Sequence, residues 1–421
     1  MQIYISEKAS MADRKIEIMA LGLLPGENVK FTASMSYPWA PSVVFKSTAN
    51  FIADDSCCVD LSRQAPVSGD YQNADAMGLI TSMRHVSGEL KDAWENISIG
   101  KSMQIEISAE CGAQSATATI ERSFLAQETK VEMIADPFVG AFFYSDAPHS
   151  KTVLMLGGSS GELINILPVA SLLAAHGFNV LAVAYFAEPR LPKELMRIPL
   201  EYFGPVFSWL DANPFSKGKD IYMHCMSKGG ELGLLLAAIH PEIKKIAAYA
   251  PHAYCFQGTS FTKHASSWTY KGEELAYIRL QFRTLYADML RCIIKNEPFG
   301  YTHTHVMGLK RARNKEQARI KVEEIKADLL IFSGKQCNMW NSHDGCTEIM
   351  AQLGKCNYKY SYEYIAYENA GEPFYAPYII PESIRLSMKI APRLALTMGG
   401  TIQGNTDAVI DSWERMLAFF S

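Results

Sequence analysis

Ile221-Tyr222-Met223-His224-Cys225-Met226-Ser227-Lys228-Gly229-Gly230-Glu231-Leu232-Gly233-Leu234-Leu235-Leu236 reads as a short apolar strand, a turn around Ser227 and an apolar-periodic helix. A serine on so tight a strand-to-helix corner holds its hydroxyl above the sheet edge. The backbone N–H of Lys228 then faces the place where a substrate oxyanion would form. Glycine is needed where the strand and helix backbones almost touch. Gly229 and Gly230 meet that need on the helix side, whereas Cys225 stands where the G-x-S-x-G pattern has its first glycine. The stretch predicts a nucleophile elbow with one imperfect position, the plain alternative being any strand-loop-helix with a small-residue turn.

Working outward, Lys151-Thr152-Val153-Leu154-Met155-Leu156 is an apolar strand that ends in Gly157-Gly158-Ser159-Ser160-Gly161. Glycines let backbone N–H groups turn toward a neighbouring elbow, so Gly158 and Ser159 are the expected second oxyanion donors beside Lys228. The loop lacks G-x-G-x-x-G spacing, and neither nucleotide redox chemistry nor another cofactor is expected. Apolar strands alternating with helices continue through residues 179–186, 220–226, 245–251 and 327–334 and close on a helix over 408–420, which describes a mostly parallel sheet flanked by helices. Before about residue 132 the grammar differs. Short strand-like runs alternate with turn signals, as in an antiparallel immunoglobulin-like β-sandwich. The expected architecture is a sandwich over 1–132 followed by an α/β-hydrolase over 133–421. A polar and aromatic stretch from about Phe256 to Lys321 interrupts the alternation and reads equally as a lid, a pocket wall or a helical excursion.

The 421 residues, 48 % of them apolar, suffice for two cores. A formal charge of -4 provides no field for nucleic acid or an anionic membrane. No apolar run reaches the length of a spanning helix. The start, MQIYISEKASMADRK, has acidic residues and no long apolar core, so it is not expected to be a secretory or transit peptide. Nine cysteines at irregular spacing fit reduced thiols and a cytoplasmic setting. The adjacent Cys57 and Cys58 are expected to pack within a strand. Asn96-Ile97-Ser98 is a formal glycosylation acceptor without a route to the glycosylating compartment, and the terminal Phe419-Phe420-Ser421 is not a peroxisomal address. Oligomeric state has no signal.

The elbow SKGGELGLLLA, the upstream LAVAYF, LPKEL and IPLEYF and the terminal WERMLAFF occur in one order. In these strings the chain resembles the acyl-CoA thioesterase and bile acid-CoA:amino acid N-acyltransferase family. ALGLLPGENVKFTASM and GDYQNADAMGLITSM resemble that family's N-terminal sandwich, and Ser266–Ile278 resembles its bacterial-type members. The resemblance implies an acyl-CoA substrate and either thioester hydrolysis or acyl transfer to an amine such as an amino acid. It implies a Ser/His/Asp triad, in which an imidazole takes the serine proton and a carboxylate fixes the imidazole tautomer. The family acid lies in a G-x-D-D-x-x-W segment. Here Gly334-Lys335-Gln336-Cys337-Asn338-Met339-Trp340 aligns with it, placing Cys337 at the acid position. The family base lies in an A-G-H segment, aligned with Ala370-Gly371-Glu372, so Glu372 occupies the histidine position. No histidine follows His343. A silent descendant that retains an acyl-CoA or lipid pocket as a binding module is the competing reading.

Other residues are candidate replacements. His343 with Asp344 lies just past Trp340. His252 follows the strand after the elbow, at the sheet edge where ligands gather, while His224 sits on the elbow strand itself and reads as a core histidine. His303-Thr304-His305 has the one-face spacing of a strand, but without nearby acidic or thiol ligands it reads as a polar lid segment rather than a metal site. Glu372 could act as a base if burial raised its pKa. Cys225, two residues before the elbow serine, reads as a small buried residue rather than a nucleophile. Glu231, on the first turn of the elbow helix, is expected to be structural.

Overall fold

The protein is described by a computed structural model over residues 1–146, 151–260, 262–372 and 376–421. It divides into two compact units, Met1–Ala126 with Tyr375–Arg385, and Gln127–Phe374 with Leu386–Ser421.

The first unit holds a three-stranded antiparallel sheet and a seven-stranded sheet. The latter is built on the long antiparallel strands Asn28–Tyr37, Ala40–Ile52, Met103–Cys111 and Gln114–Ser123. Period-two patterning drives it. Val29, Phe31, Ala33, Met35 and Tyr37 are all buried while their neighbours face outward. Within this unit the Tyr37 hydroxyl donates to the Ile379 carbonyl at 2.7 Å. Buried Arg122 donates to Ser10 Oγ and to the Ala12 carbonyl, each at 2.7 Å. Only Cys58 of the cysteine pair lies in a strand. Cys57 is exposed in a turn at φ 61°, because the chain must reverse there before pairing with Ile18–Leu21.

The second unit is an eight-stranded sheet. Its strands are β1 (Lys130–Ile134), β2 (Val139–Tyr144), β3 (Lys151–Leu156), β4 (Asn179–Ala184), β5 (Asp220–Met226), β6 (Ile243–Tyr249), β7 (Asp328–Gly334) and β8 (Tyr362–Tyr367), in the order β1-β2-β4-β3-β5-β6-β7-β8. β2 alone runs antiparallel to its neighbours; the pairs from β4 onward are parallel. Central strands this apolar are covered by helices that include α1 (Leu167–Ala175), α2 (Gly204–Ala212), α3 (Lys228–Ile239), α6 (Ser342–Lys355) and α7 (Ile402–Phe420), while α4 (Phe282–Lys295) and α5 (Thr302–Arg311) belong to the insertion after β6. This is the α/β-hydrolase topology. The strand order reverses between β3 and β5, and their parallel register sets Leu156 beside Cys225. The loops leaving those two strands therefore emerge side by side at the carboxyl edge, where open α/β sheets bind ligands. Among the described residues no helix is long and apolar enough to cross a membrane.

Candidate active site

Ser227 sits between β5 and α3 at φ 52°, ψ -121°. That region suits glycine, and holding another residue there costs about 1–3 kcal/mol. The surroundings over-determine the corner. The Ser227 N–H donates to the Tyr249 carbonyl at the end of β6 (2.8 Å), while its own carbonyl accepts from Gly230 (2.9 Å) and Glu231 (3.1 Å) as α3 begins. Gly229 is obligatory, since a Cβ there would fall on the Gly157 carbonyl. The imperfect elbow position has a packing explanation. Cys225 is fully buried, and a Cβ at Gly233, in the second turn of α3, would lie 2.6 Å from its sulfur. The room that a glycine would leave on the strand is provided instead by glycine on the helix. Burial also pushes the Cys225 thiol far up, away from a nucleophilic thiolate.

The loop after β3 lies against this corner. A Cβ on Gly158 would sit 3.2 Å from Ser227 Cβ. The buried Tyr185 hydroxyl lies 2.7 Å from the Gly157 carbonyl and 3.2 Å from that of Gly158, donating on that side of the loop. In a planar trans peptide the next N–H points opposite the carbonyl. The Gly158 and Ser159 N–H groups therefore turn away from Tyr185. The Lys228 N–H, first in α3, has no intrahelical acceptor.

On the first turn of α3, the Lys228 ammonium contacts both Glu231 oxygens at 2.8 Å, with the pair almost wholly buried. Glu231 also accepts from Trp268 Nε1 (2.6 Å) and the Phe256 N–H (3.2 Å), and Lys228 reaches the Phe256 carbonyl (3.3 Å). Burial pushes the Glu231 carboxyl up, against the opposing pull of Lys228 and these N–H donors. The expected structural role is larger than a helix-end charge, because the pair ties the elbow helix to the insertion that follows β6.

Ser227 opens into a cavity of about 390 Å³, within the usual range of small-molecule sites. Ser159 and Lys228 line it on the elbow side, and Leu280, Met339, Trp340 and Leu396 supply apolar wall. Gln257, Gly258, Thr259, Leu280, Tyr301 and His305 all come from the 256–321 insertion, which thus forms a wall of the pocket.

A family model for the acyl-CoA thioester hydrolase/BAAT C-terminal region matches residues 198–421, and one for the N-terminal region of the same proteins matches residues 13–136. The chain belongs to the acyl-CoA thioester hydrolase/BAAT family. Among its relatives are "Acyl-coenzyme A thioesterase 2, mitochondrial" of Rattus norvegicus, 26 % identical over 97 % of this chain and 86 % of the relative, and "Acyl-coenzyme A thioesterase 1" of the same organism, 26 % identical over 97 % and 93 %. A solved putative dienelactone hydrolase from Klebsiella pneumoniae is similar at 14 % identity and a TM-score of 0.40, covering 69 % of this chain and 97 % of that one.

The two positions aligned with the family's acid and base lie close to one another, since the charge of Glu372 bears on Cys337. Both are buried, and neither is among the residues lining the Ser227 cavity. Burial, with Glu372 second, pushes the Cys337 thiol up to about 12, so it is neutral at pH 7 and cannot orient an imidazole as a carboxylate does.

The histidines weighed as replacements are held elsewhere. His343 Nδ1 pairs with the Tyr364 hydroxyl at 2.6 Å. His224 is buried against Tyr249, with burial lowering its pKa to about 4. His252 is buried beneath α6, where glycine at 345 leaves room for its ring, and burial first, then His305, lowers it to about 3. The sequence reading of His305, as part of a polar lid segment with strand spacing, is the one the structure changes. Residues 302–311 form helix α5 rather than a strand, so His303 and His305 point apart. His303 pairs with Asp288 on α4 at 2.7 Å, while His305 lines the cavity with Ser227. Helical periodicity, which sets Tyr301 and His305 on one face, was the available signal.

Proposed function

We propose that this chain hydrolyses acyl-CoA thioesters through an acyl-Ser227 intermediate, with the N–H groups of Lys228 and of Gly158 or Ser159 stabilising the tetrahedral oxyanion. The observation that carries the reading is a serine held in a glycine-type conformation, opening onto an apolar cavity beside the β3 loop. Family membership supplies the substrate class. A thioester suits a site whose acid and base positions are altered. The departing CoA thiol has the pKa of an ordinary thiol, about 8.5, so it leaves as a thiolate without full protonation. An intact oxyanion hole and binding alone sustain about 10³–10⁴-fold acceleration over water in triad enzymes stripped of a member. Water is the proposed acceptor. All nine thiols are unpaired, which supports a reducing compartment such as the cytoplasm.

The test is release of CoA from a long-chain acyl-CoA, followed by chromatography because the protein's own thiols would react with a thiol reagent. Turnover by the wild type that is lost in Ser227→Ala supports hydrolysis. Saturable acyl-CoA binding with no release would instead assign the cavity to a silent binding protein.

A further inference from the structure

We infer that His305, carried on α5 of the insertion, is the general base that deprotonates Ser227, replacing an imidazole absent from the family's own base position. This deepens the proposed hydrolysis and rests on it. Among the described histidines, His305 is the one that lines the cavity into which Ser227 opens. His85, His240, His264, His303 and His343 are engaged with Gly88, Glu242, Gln257, Asp288 and Tyr364.

The ring is held in a defined chemical state. Nδ1 lies 3.0 Å from the Tyr301 carbonyl, one turn back on α5. A carbonyl only accepts, so Nδ1 carries the hydrogen, and in the neutral ring Nε2 keeps its lone pair for a proton. This is the tautomer that the aspartate of a triad enforces, here fixed by main chain. Phe256 packs against the ring with centroids 5.1 Å apart, and Trp340 at 6.0 Å, both edge-on. Burial, with Lys228 as a smaller cause, lowers the His305 pKa to about 4, so the imidazole is neutral at pH 7.

The proton path balances. Nε2 takes the Ser227 hydroxyl proton as Oγ bonds to the thioester carbon. The tetrahedral intermediate collapses, the C–S bond breaks, and the departing CoA thiolate takes that proton from Nε2. Water then enters, gives a proton to Nε2 as its oxygen attacks the acyl-serine, and collapse returns the proton to Ser227 Oγ with release of the fatty acid.

The experiment compares kcat and KM for the full chain, Ser227→Ala, His305→Ala, His305→Gln and the control His303→Ala on a long-chain acyl-CoA, with and without added imidazole. His305→Gln keeps a donor for the Tyr301 carbonyl should the alanine variant fail to fold. General-base loss predicts kcat lower by about 100-fold or more in the His305 variants, with KM within about threefold. It also predicts partial return of kcat with imidazole in His305→Ala, none in Ser227→Ala, and wild-type rates in His303→Ala. Unchanged kcat in the His305 variants, a loss expressed only in KM, or a kcat loss that imidazole does not relieve overturns the assignment. If Ser227→Ala is dead while the His305 variants turn over, serine hydrolysis stands and the base is another group. A wild type that releases no CoA overturns both.

Discussion

Gly233→Ala and Cys225→Gly, made singly and together, test whether the altered elbow position is a packing exchange. At Gly233 a new Cβ would lie 2.6 Å from Cys225 Sγ, 2.9 Å from Met223 Sδ and 3.1 Å from Cys225 Cβ. Ordinary non-bonded contact is about 3.5–4.0 Å. The sulfur would have to retreat by roughly 1 Å inside a fully buried layer, and overpacking of that kind costs about 1–3 kcal/mol. Alanine regains about 1 kcal/mol of helix propensity, leaving a net destabilisation of about 0–2 kcal/mol. Cys225→Gly alone opens a void between β5 and α3 and adds backbone freedom, for about 1–3 kcal/mol. In the double variant the methyl at 233 fills the space vacated at 225, so the two losses should not add. The coupling should be about 1–2 kcal/mol in favour of the double variant, well above the 0.3–0.5 kcal/mol scatter of independent sites. Urea unfolding of the four proteins at constant m-value measures it. Additivity within that scatter would refute the packing account of Cys225.

Three further outcomes follow from the same geometry. Ser227→Gly should raise stability by about 1 kcal/mol while abolishing CoA release, because glycine tolerates φ 52°, a gain partly offset by its larger unfolded-state entropy; a destabilised variant would argue that the corner is unstrained. Glu231→Gln leaves the Lys228 ammonium buried without its partner charge and should cost about 3–5 kcal/mol in urea unfolding. A loss under 1 kcal/mol would show the pair to be dispensable. His224, His252 and His305 have folded pKa values lowered to about 4, 3 and 4, so the unfolded chain binds their protons first. Their contribution is fully present above the ordinary histidine value of about 6.5 and is lost as pH falls from there toward about 4, at up to about 1.4 kcal/mol per pH unit for each. Urea midpoints at pH 7, 6 and 5 should fall accordingly, and a flat profile over that range would contradict burial of neutral imidazoles.

The α/β topology was legible because its central strands are buried on both faces and so read as unbroken apolar runs, with the elbow marked by glycines that the close strand-helix approach requires. The exchange between Cys225 and Gly233 was not, since it depends on which helix turn rises over which strand position. The sequence of the insertion reads equally as wall and as excursion. What decides it is three-dimensional: Gln257, Leu280 and Tyr301 converge on one cavity from segments far apart in the chain. His305 reads as part of a lid segment only under the wrong period, because spacing of two suggests one face in a strand and opposite sides in a helix. His252 drew attention for its place after β6. Its ring instead turns under α6, where a Cβ at Gly345 would come within 2.6 Å of it.

Acylation of Ser227 is tested most directly by mixing the protein with a long-chain acyl-CoA, quenching in acid, and mapping the adduct by mass spectrometry. One acyl group on the peptide that carries Ser227, absent in Ser227→Ala, is the predicted result. Release of CoA with no acyl group on that serine, or with the adduct on Cys225 or another side chain, would contradict it.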